Sequence, residues 1–311
     1  MRILYVTDIH YDSTPDKPHY KYAVKYQEAF WSFLKENINR YDLFVAGGDL
    51  TVKGPACIEE LYGFKQKVEN ITSDYIATPG NHDLCPIKGM EKTYPGVEEY
   101  EYTELDNVNF SKVFGEAGLR YSEVFEDIRL IAFAIRNEDP DDQLVWLEKE
   151  LKKSGKKIVF SHYPVFQTRS GGFCAGWDYN RIGKSREKIA SLLADEQHDV
   201  LFYFCGHQHI NSKVPMNMDS DGKPELNINY ATKGDGKRWQ VETGTLTQAT
   251  VCYREIEIEK DRISVSTKQL PGISGLVEGV MNETKSFDET HSDIYTYHMG
   301  NEDERDFEVN L

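Results

Sequence analysis

The sequence predicts an α/β core of two packed sheets with an antiparallel C-terminal portion, and three observations carry that prediction. Short apolar runs rich in β-branched residues alternate with amphipathic helices from residue 2 to residue 205. After residue 210 the pattern changes to strands alone. No internal repeat is visible along the chain.

The elements follow in order. Residues 2–7 (RILYVT) read as a buried strand, because the apolar run is short and bounded by polar residues. A helix is expected over 19–39, where Tyr22, Tyr26, Phe30, Phe33 and Leu34 recur near helical spacing. Strand 42–46, helix 57–71 and strand 74–78 continue the alternation. Residues 121–135 suggest two strands turned at Glu126-Asp127. A helix over 140–153 has Pro140 suited to its first turn and Asp139 to its cap. Strand 157–161, helix 184–195 and strand 199–205 close the alternating part. Strands are then expected at 225–231, 239–247, 249–258 and 262–268. Within them Arg254-Glu255-Ile256-Glu257-Ile258 alternates as a half-exposed antiparallel strand does.

Composition bounds the function. The 311 residues carry 52 Asp and Glu against 36 Lys and Arg, a net charge of −16, which disfavours a protein built to grip a long phosphate backbone. Nineteen Tyr, fifteen Phe and four Trp supply enough core material to exclude global disorder. Residues 278–311 hold ten acidic residues against Lys285 and Arg305, so half of the net charge lies in a tail apart from every motif. No apolar run approaches the roughly eighteen residues of a membrane span. The N-terminal stretch lacks signal-peptide anatomy. Five scattered cysteines without a CxxC pair fit reduced thiols, and a cytoplasmic location is expected.

Five polar segments stand just after predicted strands: Asp8-Ile9-His10, Gly47-Gly48-Asp49, Gly80-Asn81-His82-Asp83, Ser161-His162-Tyr163-Pro164 and Gly206-His207-Gln208-His209. Ligands of open α/β sheets bind outside the carboxyl ends of strands, so the five clusters converge. Asp8/His10 and His207/His209 are i, i+2 pairs whose members share one side in extended backbone. Imidazole, carboxylate and carboxamide without thiolate suit manganese, iron, zinc or cobalt. Seven such side chains exceed the needs of one ion. Two ions about 3.5–4 Å apart sharing a carboxylate satisfy them, an arrangement that phosphoester enzymes use.

In this order the five segments resemble the motifs of the calcineurin-like metallophosphoesterase superfamily (D-x-H, GD, GNHD, a lone H, GHxH), and the resemblance spans residues 8 to 209. It implies a four-layer α-β-β-α sandwich, with a catalytic domain over 1–270 and an acidic tail over 271–311, packed or flexible. It also implies that Asp8, His10 and His209 hold one metal, that Asn81, His162 and His207 hold a second, and that Asp49 bridges them. His82 would not be a ligand; it would face the leaving group, oriented by Asp83. The reaction implied is in-line attack on phosphorus by a metal-bridging hydroxide, with His82 protonating the leaving group. Manganese or iron are the expected ions, with zinc or cobalt also compatible.

Scaffold features bring the chain nearest to the bacterial cyclic-nucleotide phosphodiesterase-like branch: Gly48-Asp49-Leu50-Thr51 with Gly54, the QLVWLEKEL helix at 143–151 and the closing strands YREIEIEKDRISV. They describe scaffold more than pocket. The substrate class is therefore a small phosphodiester or phosphomonoester, nucleotide-like in size, and long nucleic acid is not expected. Val52 stands where purple acid phosphatases carry a metal-binding Tyr, which argues against a ferric–tyrosinate centre. Tyr11, Tyr163, Arg169 and Trp177 are candidate substrate contacts because they adjoin ligands or lie in the segment after His162. His19, His198, His291 and His298 read as ordinary surface or satisfied histidines. The alternative to an enzyme is a non-catalytic metal-binding interaction scaffold of the same fold. Such a protein should have lost ligands or His82, and this chain retains each of them. Oligomeric state has no signature in the sequence.

Overall fold

A computed structural model describes residues 1–13, 23–55, 57–84, 108–115, 118–134, 142–168, 185–226, 236–247, 250–273 and 294–311. Two six-stranded mixed sheets face each other. The first runs in the order β12-β11-β10-β1-β2-β3, with β1 at Arg2–Val6, β2 at Leu43–Gly47, β3 at Tyr75–Thr78, β10 at Cys252–Ile258, β11 at Arg262–Gln269 and β12 at Phe307–Asn310. The second runs β4-β5-β6-β7-β9-β8, with β4 at Arg120–Phe125, β5 at Ile128–Phe133, β6 at Lys156–Phe160, β7 at Val200–Cys205, β8 at Ser212–Pro215 and β9 at Trp239–Glu242. Strands β1, β2 and β3 are parallel, as are β5, β6, β7 and β9.

Why four layers form is visible in the side chains of single strands. In β1, Ile3 and Tyr5 turn to the space between the sheets while Leu4 and Val6 turn outward, so both faces are apolar and both must be covered. Ile3, Tyr5, Val45 and Ile76 meet Leu130, Ala132, Ile158, Phe160 and Phe204 in the central layer. The Tyr5 ring lies 5.6 Å from that of Phe160 and 5.4 Å from that of Phe204. Outside the first sheet, Leu4, Val6, Phe44 and Ala46 are covered by α1 (Ala23–Asn37) and α2 (Ile58–Glu69) through Tyr26, Phe30, Leu34, Leu61 and Phe64. Phe110 of α4 (Val108–Phe114) joins that layer; α3 is the single turn Asn81–Leu84. Outside the second sheet, Ile131, Val159 and Tyr203 meet Leu147 and Leu151 of α5 (Gln143–Leu151) and Ile189 and Leu193 of α6 (Ser185–Ala194).

Three differences from the sequence reading have local causes. β9 pairs with β7 in parallel, whereas β8 pairs antiparallel with β9, and β10, β11 and β12 pair antiparallel in the other sheet. The stretch after 210 is not strands alone, since α7 (Ile294–Met299) and α8 (Glu302–Arg305) precede β12. Four-residue β8 and β12 are too short to show an alternation. Most of the expected strand 225–231, together with Asp139 and Pro140, lies outside the described residues; Asp142 occupies the cap position of α5.

Candidate metal centre

Parallel strands put the five polar segments at one end of the sandwich. Asp8 and His10 follow β1, Asp49 follows β2, and Asn81 to Asp83 form α3 after β3; His162 follows β6, and His207 and His209 follow β7. The sheets are stitched together there by the parallel bridge Thr7–Thr245 and by His162 Nδ1, 3.3 Å from the Gly47 carbonyl. Close approach requires glycine at several of these positions, Gly48 and Gly80 among them. Gly48 has φ 102°, and a Cβ on it would lie 2.4 Å from His162 Nδ1. A Cβ on Gly80 would lie 2.2 Å from Asp49 Oδ1.

Convergence of the i, i+2 pairs does not come from extended backbone. Asp8, His10, Asp49, His207 and His209 all adopt left-handed conformations, with φ of 53°, 48°, 48°, 77° and 58°. They make up five of the nine non-glycine residues with positive φ among the described residues. Each costs on the order of 1 kcal/mol, which clusters strain at the site.

The side chains form three groups whose candidate ligand atoms lie within 4.8 Å of one another: Asp8, His10 and His209; His10, Asp49 and His82; and Asp49, His162 and His207. Each carboxylate commits one oxygen to the protein and presents the other to imidazoles. Asp8 Oδ2 accepts from Thr7 Oγ1 (2.8 Å) and the His207 amide (3.1 Å), while Oδ1 lies 3.2 Å from His209 Nε2 and 3.8 Å from His10 Nε2. Asp49 Oδ1 accepts from the His82 amide at 2.8 Å; Oδ2 lies 3.2 Å from His162 Nε2, 3.9 Å from His10 Nε2 and 4.0 Å from His82 Nε2.

Burial raises the Asp8 carboxyl, but neighbouring imidazoles, His209 foremost, outweigh it and hold it down at about 2. Asp49 is likewise held well below the usual carboxylate range by His162 and His82 against the effect of burial. His162 moves the opposite way, to about 9, because Asp49 and Asp8 overcome desolvation. Desolvation and the neighbouring His82 push His10 well down, so it presents a neutral ring with a lone pair. Two ionised carboxylates set among imidazoles are a charge pattern that cations satisfy equally well. Among the described residues no donor reaches the buried Asn81 Oδ1. Buried oxygens without donors are costly unless a cation takes that place. The donor set therefore fits divalent transition metals.

His82 is the most exposed imidazole of the cluster, its side chain 13% accessible against 0% for His10. Its Nδ1 faces the Val52 carbonyl at 2.8 Å, so that backbone oxygen, not the Asp83 carboxylate expected from sequence, orients the ring. Asp83 instead ties two loops together. Its oxygens accept from the Leu50, Thr51 and Gly80 amides, each at 2.9 Å, and from Thr51 Oγ1 at 2.8 Å. Burial, with the Asp49 charge, still pushes Asp83 up to about 7.

The candidate substrate contacts fare unevenly. Tyr11 turns away from the cluster: its ring meets Trp31 edge-on at 6.4 Å and lies under Lys67 Nζ at 5.8 Å. Tyr163 is buried behind the ligands, its ring 5.2 Å from His162 and 4.8 Å from His207. Arg169 and Trp177 lie outside the described residues, as do His19 and His291. His198 is buried, its Nδ1 2.7 Å from the Leu192 carbonyl. His298 is buried as well, and α7 brings its Nδ1 to 2.9 Å from the His209 carbonyl. Sequence reasoning also missed Gln27, whose Nε2 donates to the His10 carbonyl (2.7 Å), and Thr245, whose Oγ1 donates to the Asp8 carbonyl (2.9 Å). No local pattern marks either residue.

Comparison with known proteins adds a family and a fold. The family model for calcineurin-like phosphoesterases matches residues 1–211. No curated protein sequence matches the chain. Among solved structures, a dimetal phosphatase from Danio rerio is similar at a TM-score of 0.53 and 14% identity, over 86% of this chain and 96% of its own. A purple acid phosphatase from yellow lupin seeds is similar at a TM-score of 0.60 and 15% identity, over 88% of this chain but only 52% of its own. At these identities the likeness is one of fold.

Proposed function

The chain belongs to the calcineurin-like phosphoesterase family, and from that premise we propose that it is a two-metal hydrolase of small, nucleotide-like phosphodiesters or phosphomonoesters. The observation that carries this reading is Asp49. With Oδ1 fixed by the His82 amide, its Oδ2 stands between His10 and His162 and belongs to two of the three candidate ligand groups. Asp8, His10 and His209 would hold one ion, and Asn81, His162 and His207 the other. When bound, such ions, manganese or iron by preference and zinc or cobalt as compatible substitutes, would acidify water and neutralise phosphoryl oxygens.

The remaining chemistry falls to the chain. His82 Nδ1 donates to the Val52 carbonyl, which turns Nε2 towards the cluster, near Asp49 Oδ2, and leaves it to carry a proton to the departing oxygen. Its partial exposure supports a role facing substrate, while the buried imidazoles serve as donors. With a net charge of −16 the surface repels long polyanions. Ions held by the cluster would confine positive potential to the pocket and so admit small ones.

The test is hydrolysis of bis-p-nitrophenyl phosphate, p-nitrophenyl phosphate and unactivated nucleotide esters by manganese- and iron-loaded protein, with His82→Ala alongside. His82→Ala should keep its metal content and lose about 10²–10⁴-fold on unactivated esters, with a much smaller loss on p-nitrophenyl esters. Equal losses on both would remove His82 as proton donor. No turnover with any metal while two ions are bound would instead favour the interaction scaffold.

A further inference from the structure

We infer that Gln27, Thr245 and His298 form a carbonyl clamp that holds the Asp8, His10 and His209 triad in shape and so sets the affinity of one metal position selectively. This rests on the two-metal reading above. All three triad residues have left-handed backbone, with φ of 53°, 48° and 58°. The carbonyl of each accepts a side-chain hydrogen bond: Asp8 from Thr245 Oγ1 at 2.9 Å, His10 from Gln27 Nε2 at 2.7 Å and His209 from His298 Nδ1 at 2.9 Å. In a left-handed residue the carbonyl direction and the Cβ direction are set together by φ and ψ. Fixing the carbonyl therefore aims the ligand side chain and opposes relaxation to an ordinary conformation.

The donors are buried and come from three elements outside the motifs: α1, the loop after β9, and α7. His298 lies beyond residue 211, where the family match ends. Thr245 and His298 are themselves braced. The Thr247 amide donates to Thr245 Oγ1 at 3.0 Å, and the Asn211 amide donates to the His298 carbonyl at 2.7 Å. Asn211 Oδ1 accepts from the Gly244 amide (3.0 Å) and from Arg254 Nη2 (3.4 Å). Fully buried Arg254 also donates to the Glu304 and Arg305 carbonyls, each at 3.1 Å, and so anchors α8 behind α7. The C-terminal segment thus reaches a candidate metal ligand through one hydrogen bond. Gln27, Thr245 and His298 are positioning residues that act through the triad.

The test is a manganese titration of the metal-free full-length protein by calorimetry, with bound metal counted after desalting, on wild type, Gln27→Met, Thr245→Val, His298→Phe and His298→Asn. Wild type should take two ions. Each of the first three variants should weaken one site by about 10–100-fold and leave the other near its wild-type value. His298→Asn, which restores an N–H donor, should recover most of the loss, a rescue that simple loosening of the fold would not give. Thermal melts identify any variant that fails to fold, and the near-isosteric Thr245→Val then decides. Unchanged affinities at both sites, or equal loss at both, would overturn the clamp while leaving the two-metal reading intact. A wild-type protein that cannot take two ions would overturn both.

Discussion

Around Asp49, His162 and His207, the motif loops hold one another through main-chain groups: the Asp49 carbonyl accepts from the His10 amide and the His162 carbonyl from the Gly206 amide, each at 2.9 Å. Around Asp8, His10 and His209 the carbonyls are held by side chains from α1, the loop after β9, and α7. In the first half the Asp49 and His162 carbonyls are thus held by main-chain hydrogen bonds between the motif loops. The other depends on residues far away in sequence, the last of them in the C-terminal segment. Motif residues are sufficient to name such a site, but not to build both halves of it.

The largest effect should come from Asp49, which belongs to two of the three candidate ligand groups. Asp49→Ala removes the oxygen near His10 and His162 and the acceptor of the His82 amide. Turnover of p-nitrophenyl esters should fall to background, and metal analysis should find fewer than two ions per chain. Near wild-type turnover would show that the two halves share no ligand, and the comparison would lose its centre.

What the sequence made legible follows the same division. The five motifs could be read because each is contiguous and sits where a parallel strand ends, so chain order alone predicted their convergence. The apolar strands likewise declared two buried sheets. Side-chain letters say nothing of which backbone carbonyl is nearest, so Val52 as the partner of His82 Nδ1 was out of reach and Asp83 was the natural choice. Left-handed backbone at Asp8, His10 and His209 was equally hidden, because i, i+2 spacing suits extended and kinked chain alike. Gln27, Thr245 and His298 carry no spacing relation to any motif. Only the packing of α1, α7 and the loop after β9 onto the site assigns them a role.

A second variant probes the half around His162. A Cβ on Gly48 would lie 2.4 Å from His162 Nδ1, on a backbone with φ 102°, so Gly48→Ala must displace the imidazole. Manganese affinity should fall by about 10–100-fold at the position served by His162, with the other position unchanged. That is the mirror image of His298→Phe. Combining the two substitutions should then weaken both positions. If Gly48→Ala and His298→Phe weaken the same position, the halves are not separable and the comparison fails.

The smallest effect is expected at Tyr11, which adjoins His10 in sequence but whose ring turns away from the cluster. Its amide donates to the Leu50 carbonyl at 2.8 Å, and its carbonyl accepts from the Val52 amide at 3.1 Å. These bonds brace the loop whose Val52 carbonyl orients His82, and both are made by backbone. The ring leans on Trp31, and the hydroxyl points towards Gly63 of α2, where a Cβ would lie 3.0 Å from it. Tyr11→Phe removes the hydroxyl and leaves the backbone bonds and ring packing, so kcat/KM should stay within about twofold and stability within about 0.5 kcal/mol of wild type. A loss of about tenfold in kcat/KM with kcat unchanged would mean that the hydroxyl reaches bound substrate. The ring would then have to swing away from Trp31, and the loop after β1 would be part of the pocket as well as part of the brace.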